Sequence, residues 1–228
     1  MKISVIIATY NRQNLLKSLI EWVRKQNIPS EIVVADDGSE SPVVCGDKYL
    51  WRKDDGFHKA WMVNKASEMA TGDILVFMDD DTRPRSRLWL HAHLKALQSG
   101  PVSRGSFYLG RLDNAGKFHQ YSPYIFGLPG TSWSLTNTAM KREVWEDLGG
   151  FDERFDGSYG FEDVDLGIRI KESRIRVSKA VNTATAEHIG KRYCGEEAFA
   201  DDPRMARNKA ILEDKWGDSI ENLVIRSG

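Results

Sequence analysis

Apolar and polar positions along the first hundred residues repeat with two different periods. KISVIIA (Lys2 to Ala8), EIVVA (Glu31 to Ala35) and DILVFM (Asp73 to Met78) are short apolar runs rich in β-branched residues, the pattern of buried strands. Between them, Leu15 to Lys25 and Phe57 to Ala70 carry apolar residues at helical spacing, and Gly72 stops the second helix. A further helix is predicted over Leu88 to Gln98. Strand, helix, strand in this rhythm predicts a parallel sheet with right-handed crossovers. Hairpins would need much shorter connections.

The second half reads differently. Arg104 to Gly110 and Lys117 to Tyr121, around Asn114-Ala115-Gly116, predict a hairpin. Ser132 to Met140 predicts a strand running into a helix over Lys141 to Leu148, which Gly149-Gly150 breaks. Gly157 and Gly160 mark a flexible loop before an amphipathic helix, Phe161 to Ser173. Strands over Arg174 to Val177 and Val181 to Glu187 follow, then a weakly periodic tail from Gly190 to Pro203 and a last helix near Arg204 to Trp216. No repeat, low-complexity tract or Pro/Ser linker interrupts the chain. One continuous α/β domain over residues 1–228 is expected.

Composition changes this picture little. The 228 residues can bury a proper core, with 29% charged and 41% hydrophobic positions. Lys+Arg 32 against Asp+Glu 33 gives no positive excess, so a nucleic-acid partner is not indicated. Cys45 and Cys194 lie far apart without metal-type spacing, which suits a reducing compartment. No signal peptide is visible, and no apolar stretch approaches the roughly 20 residues that span a bilayer. A cytoplasmic location is the expectation.

The chemistry concentrates where strands end. Asp79-Asp80-Asp81 closes the third strand, and like charges so crowded need a cation or another partner. Carboxyl ends of strands in open α/β sheets are where ligands bind, and hard oxygen donors suit Mg²⁺ or Mn²⁺ shared with substrate phosphates. An acidic surface loop would show the same letters. Asp36 and Asp37 follow the second strand in a turn-forming Asp-Asp-Gly-Ser, and Tyr10 and Asn11 follow the first. All three clusters point to one sheet edge. A phenol there could stack on a base while an aspartate accepts from a pyrimidine N–H. No GxGxxG loop follows the first strand, which disfavours a dinucleotide-binding dehydrogenase.

Glu162 and Asp163 open the Phe161 to Ser173 helix, where the helix terminus favours the ionised, proton-accepting form. Ordinary helix-start chemistry is the preferred reading of Asp165, while the preceding loop favours a functional one for Glu162 and Asp163. A lone histidine is more often structural than a ligand, but His188 ends a predicted strand, which makes it a candidate third ligand beside Asp81. Lys191 and Arg192 behind it suit phosphate oxygens. His91 and His93 read as structural, and His119 carries no motif.

SVIIATYNR, EIVVADDGS, GDILVFMDDD and GGFDERFDGSYGFEDVDLGIRI together resemble the family-2 glycosyltransferases of the GT-A fold, a Rossmann-like, mostly parallel mixed sheet flanked by helices. The second half is also similar to the carboxyl-terminal region of galactosyl- and N-acetylgalactosaminyltransferases. The resemblance implies a nucleotide-sugar-binding half over about residues 1–100 and an acceptor-binding, catalytic half over about 101–228. It implies that Thr9, Tyr10 and Arg12 cradle the nucleotide, with Asp37 on the uracil and Asp36 beside it. It implies that His58 and Lys59 lie near the base or diphosphate, while Asn64 supports the site. Asp79 and Asp81 match a DxD motif, with Asp81 as metal ligand and Asp79 and Asp80 toward ribose and sugar; Asp79 is a further candidate ligand. Asp163 matches a catalytic base, Glu162 a residue on a sugar hydroxyl, and His188 a metal-binding histidine. Tyr159 stands where many members have tryptophan, and His58 where arginine is frequent.

The expectation is therefore an inverting hexosyltransferase using Mn²⁺ or Mg²⁺ and a UDP-Gal, UDP-GalNAc or UDP-Glc type of donor, acting on a glycan or lipid-linked glycan. Peripheral membrane contact is compatible with it, and the oligomeric state is open. Trp133 either lines the acceptor side or belongs to the core. Gly149 to Gly160 and the tail from Gly190 to Asp202 are candidate closing loops. A retaining transferase, a nucleotidyltransferase and a non-catalytic sugar-nucleotide-binding module are the rival readings.

Overall fold

The computed structural model describes residues 1–113, 115, 117–120, 133–180, 183–189 and 203–217. Lys191, Arg192, Cys194, the tail from Gly190 to Asp202 and the turn residues Asn114 and Gly116 lie outside the described residues.

Three strands form as the apolar runs require: β1 (Ile3–Thr9), β2 (Glu31–Asp36) and β4 (Ile74–Asp79). Their side chains alternate between two cores, as the two-residue period dictates. Ile3, Val5 and Ile7 pack with Leu16, Leu19 and Val23 of α1 (Gln13–Arg24) and with Trp89 and Leu90 of α3 (Trp89–Ala96). Ile6, Val33 and Phe77 face the other way, onto α2 (Lys59–Met69), α4 (Arg142–Asp147) and α5 (Glu162–Glu172). Helices cover both faces, which is why these strands read as continuous apolar runs. Each fully buried Ile or Val contributes about 1.5–3 kcal/mol.

The main sheet has seven strands, ordered β10-β6-β9-β4-β1-β2-β3. Here β3 is Lys48–Trp51, β6 Val102–Arg104, β9 Thr138–Lys141 and β10 Val177–Lys179. Strands β3, β2, β1 and β4 run parallel, and β9 lies antiparallel between β4 and β6. A second sheet, β5-β11-β7-β8, is built from Thr82–Pro84, Thr185–Ile189, Ser106–Leu112 and Phe118–Gln120. Strands β7 and β8 are the predicted hairpin.

Several boundaries depart from the sequence pattern. The edge strand β3 and the proline-bearing β5 have no apolar run to announce them. The predicted strand over Arg174 to Val177 begins only at Val177, because Arg174 adopts φ +54° and the Ile175 N–H returns to the Ile170 carbonyl as a helix end. The strand predicted over Val181 to Glu187 runs instead from Thr185 to Ile189, so His188 lies inside it. The strand predicted from Ser132 starts at Thr138, after Asn137 at φ +56°.

The chain crosses directly from one sheet to the other at two short links, between β4 and β5 and between β6 and β7. Gly105 forms the second crossing: a Cβ there would meet the Ala184 carbonyl oxygen at 2.4 Å and the Asn137 amide at 2.5 Å. Asn137 fastens the junction. Its Nδ2 donates to the carbonyls of Ser106 (2.8 Å) and Ala184 (3.0 Å), and its Oδ1 accepts from Trp89 Nε1 (2.7 Å).

The last helix among the described residues, α6 (Ala206–Trp216), pins the stretch before α5. Asn208 Nδ2 reaches the carbonyls of Phe155, Ser158 and Gly160, and Arg207 reaches that of Asp156. Residues 149–160 are thus tied down, contrary to the expected flexible loop. Their glycines serve tight turns, with φ between +65° and +88° at Gly149, Gly150, Gly157 and Gly160. Lys215 and Trp216 bind Asp165, whose place is structural.

Candidate active site

Register gathers the strand ends. Thr9 pairs with Asp36 and Ala8 with Asp79, and the ladder extends through Asp37 N–H to the Thr9 carbonyl (3.0 Å) and Asp80 N–H to the Ala8 carbonyl (3.2 Å). Residues after β1, β2 and β4 therefore share one edge, as the chain pattern predicts.

At the outer part of that edge, Tyr10 is 47% exposed and its hydroxyl donates to Asp54 Oδ2 (2.8 Å). Asp36 uses both oxygens within the fold, accepting from Ser39 N–H (2.8 Å) and the Tyr49 hydroxyl (2.5 Å). It shapes the turn. Asp37 uses one oxygen only: Oδ2 accepts from His58 N–H (2.7 Å), while buried Oδ1 has no hydrogen-bond partner. Burial pushes its carboxyl up, opposed by His58 and Arg52. Arg52, absent from the sequence-derived set, lies 3.9 Å from Asp37 Oδ1 and stacks over Trp61.

The aspartate triplet divides its work. Asp80 is buried, accepts from Thr9 Oγ1 (2.7 Å) and Arg12 Nη1 (3.1 Å), and is pushed up to about 7, chiefly by burial. Asp81 accepts from Arg12 Nη1 (2.7 Å) and faces His188 Nε2 at 3.7 Å. Backbone pairing makes that approach: His188 lies opposite Thr82, and Ile189 N–H donates to the Asp81 carbonyl (2.6 Å). Asp81 Oδ1 is buried with no hydrogen-bond partner. An orphaned carboxylate oxygen beside an imidazole fits Mn²⁺ or Mg²⁺ better than an empty apolar niche would. Among the described residues no group of three His, Cys, Asp or Glu is placed to hold a metal ion, so substrate oxygens or water would complete such a shell.

Asp79 lies elsewhere. Its Oδ1 is 3.4 Å from Lys59 Nζ, which also approaches Glu162 Oε1 (3.3 Å) and Asp163 Oδ2 (3.9 Å). Lys59 thus sits among the acids of β4 and α5. Burial opposes charging its amine, but Asp163, Asp79 and Glu162 outweigh that and raise it. Asp163 is pushed up to about 7 by burial, with Lys59 opposing and Glu162 and Asp79 adding to the rise. Glu162 Oε2 and Asp163 Oδ1 are buried without hydrogen-bond partners. Both begin α5 after Phe161, whose φ of +72° turns the chain into the helix.

Around these acids, Tyr159 packs edge-on against Phe57 with ring centroids 5.6 Å apart. Trp133 lies on α5, where a Cβ at Gly167 would come within 2.3 Å of it, and Arg104 covers its ring at 4.9 Å. Arg104, also absent from the sequence-derived set, feels Asp163. It ends β6, a strand parallel to β10 whose carboxyl end meets this edge; that position was the available signal. Asn64 supports the site through Phe151, donating to its carbonyl (3.0 Å) and accepting from its N–H (2.8 Å). His93 is buried between Ser103 and Asn137, and His119 pairs with Asp113.

A mixed, mostly parallel sheet whose strand ends hold a divided aspartate triplet opposite a helix-start acid pair is the GT-A arrangement. Residues 4–153 match the model described as glycosyl transferase family 2, and the chain belongs to that family. Residues 120–192 match a model described as the N-terminal domain of galactosyltransferase. Among solved structures, Staphylococcus aureus TarS 1–349 in complex with UDP-GlcNAc is similar over 100% of this chain and 67% of its own, with TM-score 0.69 and 16% identity. GalNAc-T7 with UDP, GalNAc and Mn²⁺ gives TM-score 0.71 at 15% identity, over 96% of this chain and 50% of that one. In sequence, O-antigen biosynthesis protein RfbC of Myxococcus xanthus is 26% identical over 82% of this chain and 17% of its own length. Chondroitin synthase of Pasteurella multocida is 26% identical over 74% of this chain and 23% of its own. The chain thus spans less than a quarter of either relative.

Proposed function

We propose that this chain is a metal-dependent, inverting glycosyltransferase that moves a hexose from a nucleotide sugar, of UDP-Gal, UDP-GalNAc or UDP-Glc type, to an acceptor hydroxyl in glycan or polysaccharide synthesis. The observation that carries this is the pair of orphaned acid oxygens on Glu162 and Asp163, facing the edge where Asp37 and Asp81 also present unpartnered oxygens. Four buried acceptors without partners in one region are costly unless a ligand satisfies them.

In this reading residues 1–100 hold the donor and residues from 101 onward the acceptor. Asp37 accepts from the base N–H, Tyr10 covers the base, and Thr9 and Arg12 keep Asp80 and Asp81 in place beside the phosphates. Asp79 and Asp80 face the ribose and sugar. A divalent cation, when bound, would be held by Asp81 and His188 and would neutralise charge gathering on the departing diphosphate. Asp163 removes the acceptor proton while that oxygen attacks the anomeric carbon from the face opposite the diphosphate. One such displacement inverts the anomeric centre. Glu162 Oε2 orients a hydroxyl, and Tyr159 with Phe57 offers an aromatic wall for a sugar face.

The similar proteins support the reading through what they are named for: chondroitin synthase, O-antigen biosynthesis, and a glucosyltransferase acting on a polyprenyl diphosphate-linked glycan in Campylobacter jejuni. A glycan or lipid-linked glycan acceptor and a cytoplasmic site, with peripheral membrane contact, follow as part of the proposal. No described helix is long and apolar enough to cross a membrane.

Thermal stabilisation by a panel of nucleotide sugars, with Mn²⁺ and with a chelator, tests the donor and the metal together. Stabilisation by UDP-sugars that chelation removes is the expected result; equal stabilisation without metal defeats the Asp81–His188 site. Product NMR decides the stereochemistry, and a retained anomeric configuration defeats single displacement.

A further inference from the structure

We infer that Lys59 is the positioning residue of the catalytic acids, one ammonium that clamps the end of β4 to the first turn of α5 and leaves one oxygen each of Glu162 and Asp163 free for substrate. The inference deepens the proposed transfer reaction and rests on it. It adds a role to the sequence expectation, which placed Lys59 near the base or diphosphate.

The clamp is built from both ends. Lys59 is the first residue of α2, and the backbone around it is fixed by two carboxylates: Asp37 accepts from His58 N–H (2.7 Å), and Asp156 accepts from Ala60 and Trp61 N–H (2.9 Å each). The side chain, only 20% exposed, then reaches Asp79, Glu162 and Asp163 within 3.3–3.9 Å. The oxygens facing the amine are Glu162 Oε1 and Asp163 Oδ2; the opposite ones, Oε2 and Oδ1, are the buried atoms without hydrogen-bond partners. One oxygen of each acid thereby pairs with the amine, and the other keeps no hydrogen-bond partner.

The charges facing Asp163 are Glu162 on its own helix, Asp79 from β4, Lys59 from α2 and Arg104 from β6, with Tyr159 near the amine. Two negative neighbours and burial disfavour the Asp163 carboxylate, and Lys59 is the strongest influence against them. Removing the amine leaves three converging acids, so Asp163 holds its proton to higher pH and cannot accept one from the acceptor. A residue that merely filled space would not move that proton.

The experiment compares wild type, Lys59→Met, Lys59→Gln and Lys59→Arg. Three quantities are read: the pH profile of transfer, UDP affinity by calorimetry, and the Asp163 carboxyl titration by ¹³C NMR without substrate, its signal assigned with Asp163→Asn. The neutral variants are expected to move the acid limb and the NMR titration upward by about one pH unit or more, lowering transfer at pH 7 about fivefold or more. UDP affinity stays within about twofold, and Lys59→Arg restores most of the wild-type profile. An acid limb left in place by folded Met or Gln variants overturns the inference. So does tenfold weaker UDP binding with an unmoved Asp163, which makes Lys59 a diphosphate contact. If one neutral variant fails to fold, the other carries the comparison. Absence of transfer from every donor by the wild type defeats the functional reading alone, because the NMR titration still reports the clamp.

Discussion

Asp37 and Asp81 owe their positions to strand register, whereas Glu162 and Asp163 owe theirs to side chains distant in sequence. On the donor edge, backbone pairs such as Thr9 with Asp36 and Ala8 with Asp79 set the geometry before any side chain is considered. On the acid side, α5 enters through a left-handed Phe161, and the preceding stretch is fastened by Asn64, Asn208 and Asp156. A sheet edge tolerates changes of side chain because its hydrogen bonds are in the backbone. A loop held by carboxamides fails when one carboxamide is lost.

The largest effect that separates the two regions is chemical. Asp163→Asn keeps the shape but removes the proton acceptor, so transfer should fall about 10²–10⁴-fold. UDP affinity should stay unchanged, because the donor edge is untouched; retained turnover would assign the base elsewhere.

Next comes the junction between the sheets. Asn137→Ala strands the carbonyls of Ser106 and Ala184 and the Trp89 indole N–H, all buried, and puts alanine at positive φ. A loss of about 4 kcal/mol in urea unfolding is expected, with an unchanged m-value. A loss below about 1 kcal/mol would show that the sheets hold together without this residue.

The same cluster predicts a pH dependence. Burial pulls His93 down to about 4 from an ordinary 6.5, so the folded state keeps it neutral while the unfolded chain takes a proton. Stability from this group is therefore complete above about pH 6.5 and is lost as pH falls toward 4, on the order of 2–3 kcal/mol in all. Thermal unfolding across pH 4–7 should show that slope, flattened in His93→Gln. An equally steep slope in the variant would place the proton elsewhere.

The smallest effect tests the independence of the two regions. Asn208→Ala frees the carbonyls of Phe155, Ser158 and Gly160, loosening the approach to α5. Transfer at saturating donor should drop about tenfold, with UDP affinity within about twofold. Affinity that falls in step with transfer would mean that the donor edge depends on the same fastening.

How much was legible in the sequence follows this division. The strands β1, β2 and β4 and the acidic turns after them are local patterns, so their residues and shared edge were readable from spacing. Strands β3 and β5 were not, because an edge strand and a three-residue strand ending in proline bury too little to leave an apolar run. His188 could be suspected, but only the pairing of β11 with β5 brings it opposite Thr82. Lys59 could be placed on its helix, but the acids around it could not be read from the sequence. Helical periodicity says which face a residue occupies, and nothing about which distant acid will meet it. Arg52, Arg104 and the capping Asp156 went unnoticed for the same reason, and the glycines of residues 149–160 were read as flexibility when they form fastened turns.

Periodicity, turn chemistry and the order of the acidic clusters were enough to determine an α/β chain with a ligand edge at its strand ends, because those features depend on neighbours a few residues apart. Only the tertiary structure decided how the acids are shared out: Asp36 into its turn, Asp80 onto Thr9, Asp81 toward His188, Asp79 to Lys59 with the helix-start pair. Charges interact through space, and the distances that rank those interactions exist only once the sheets have crossed and the helices have packed.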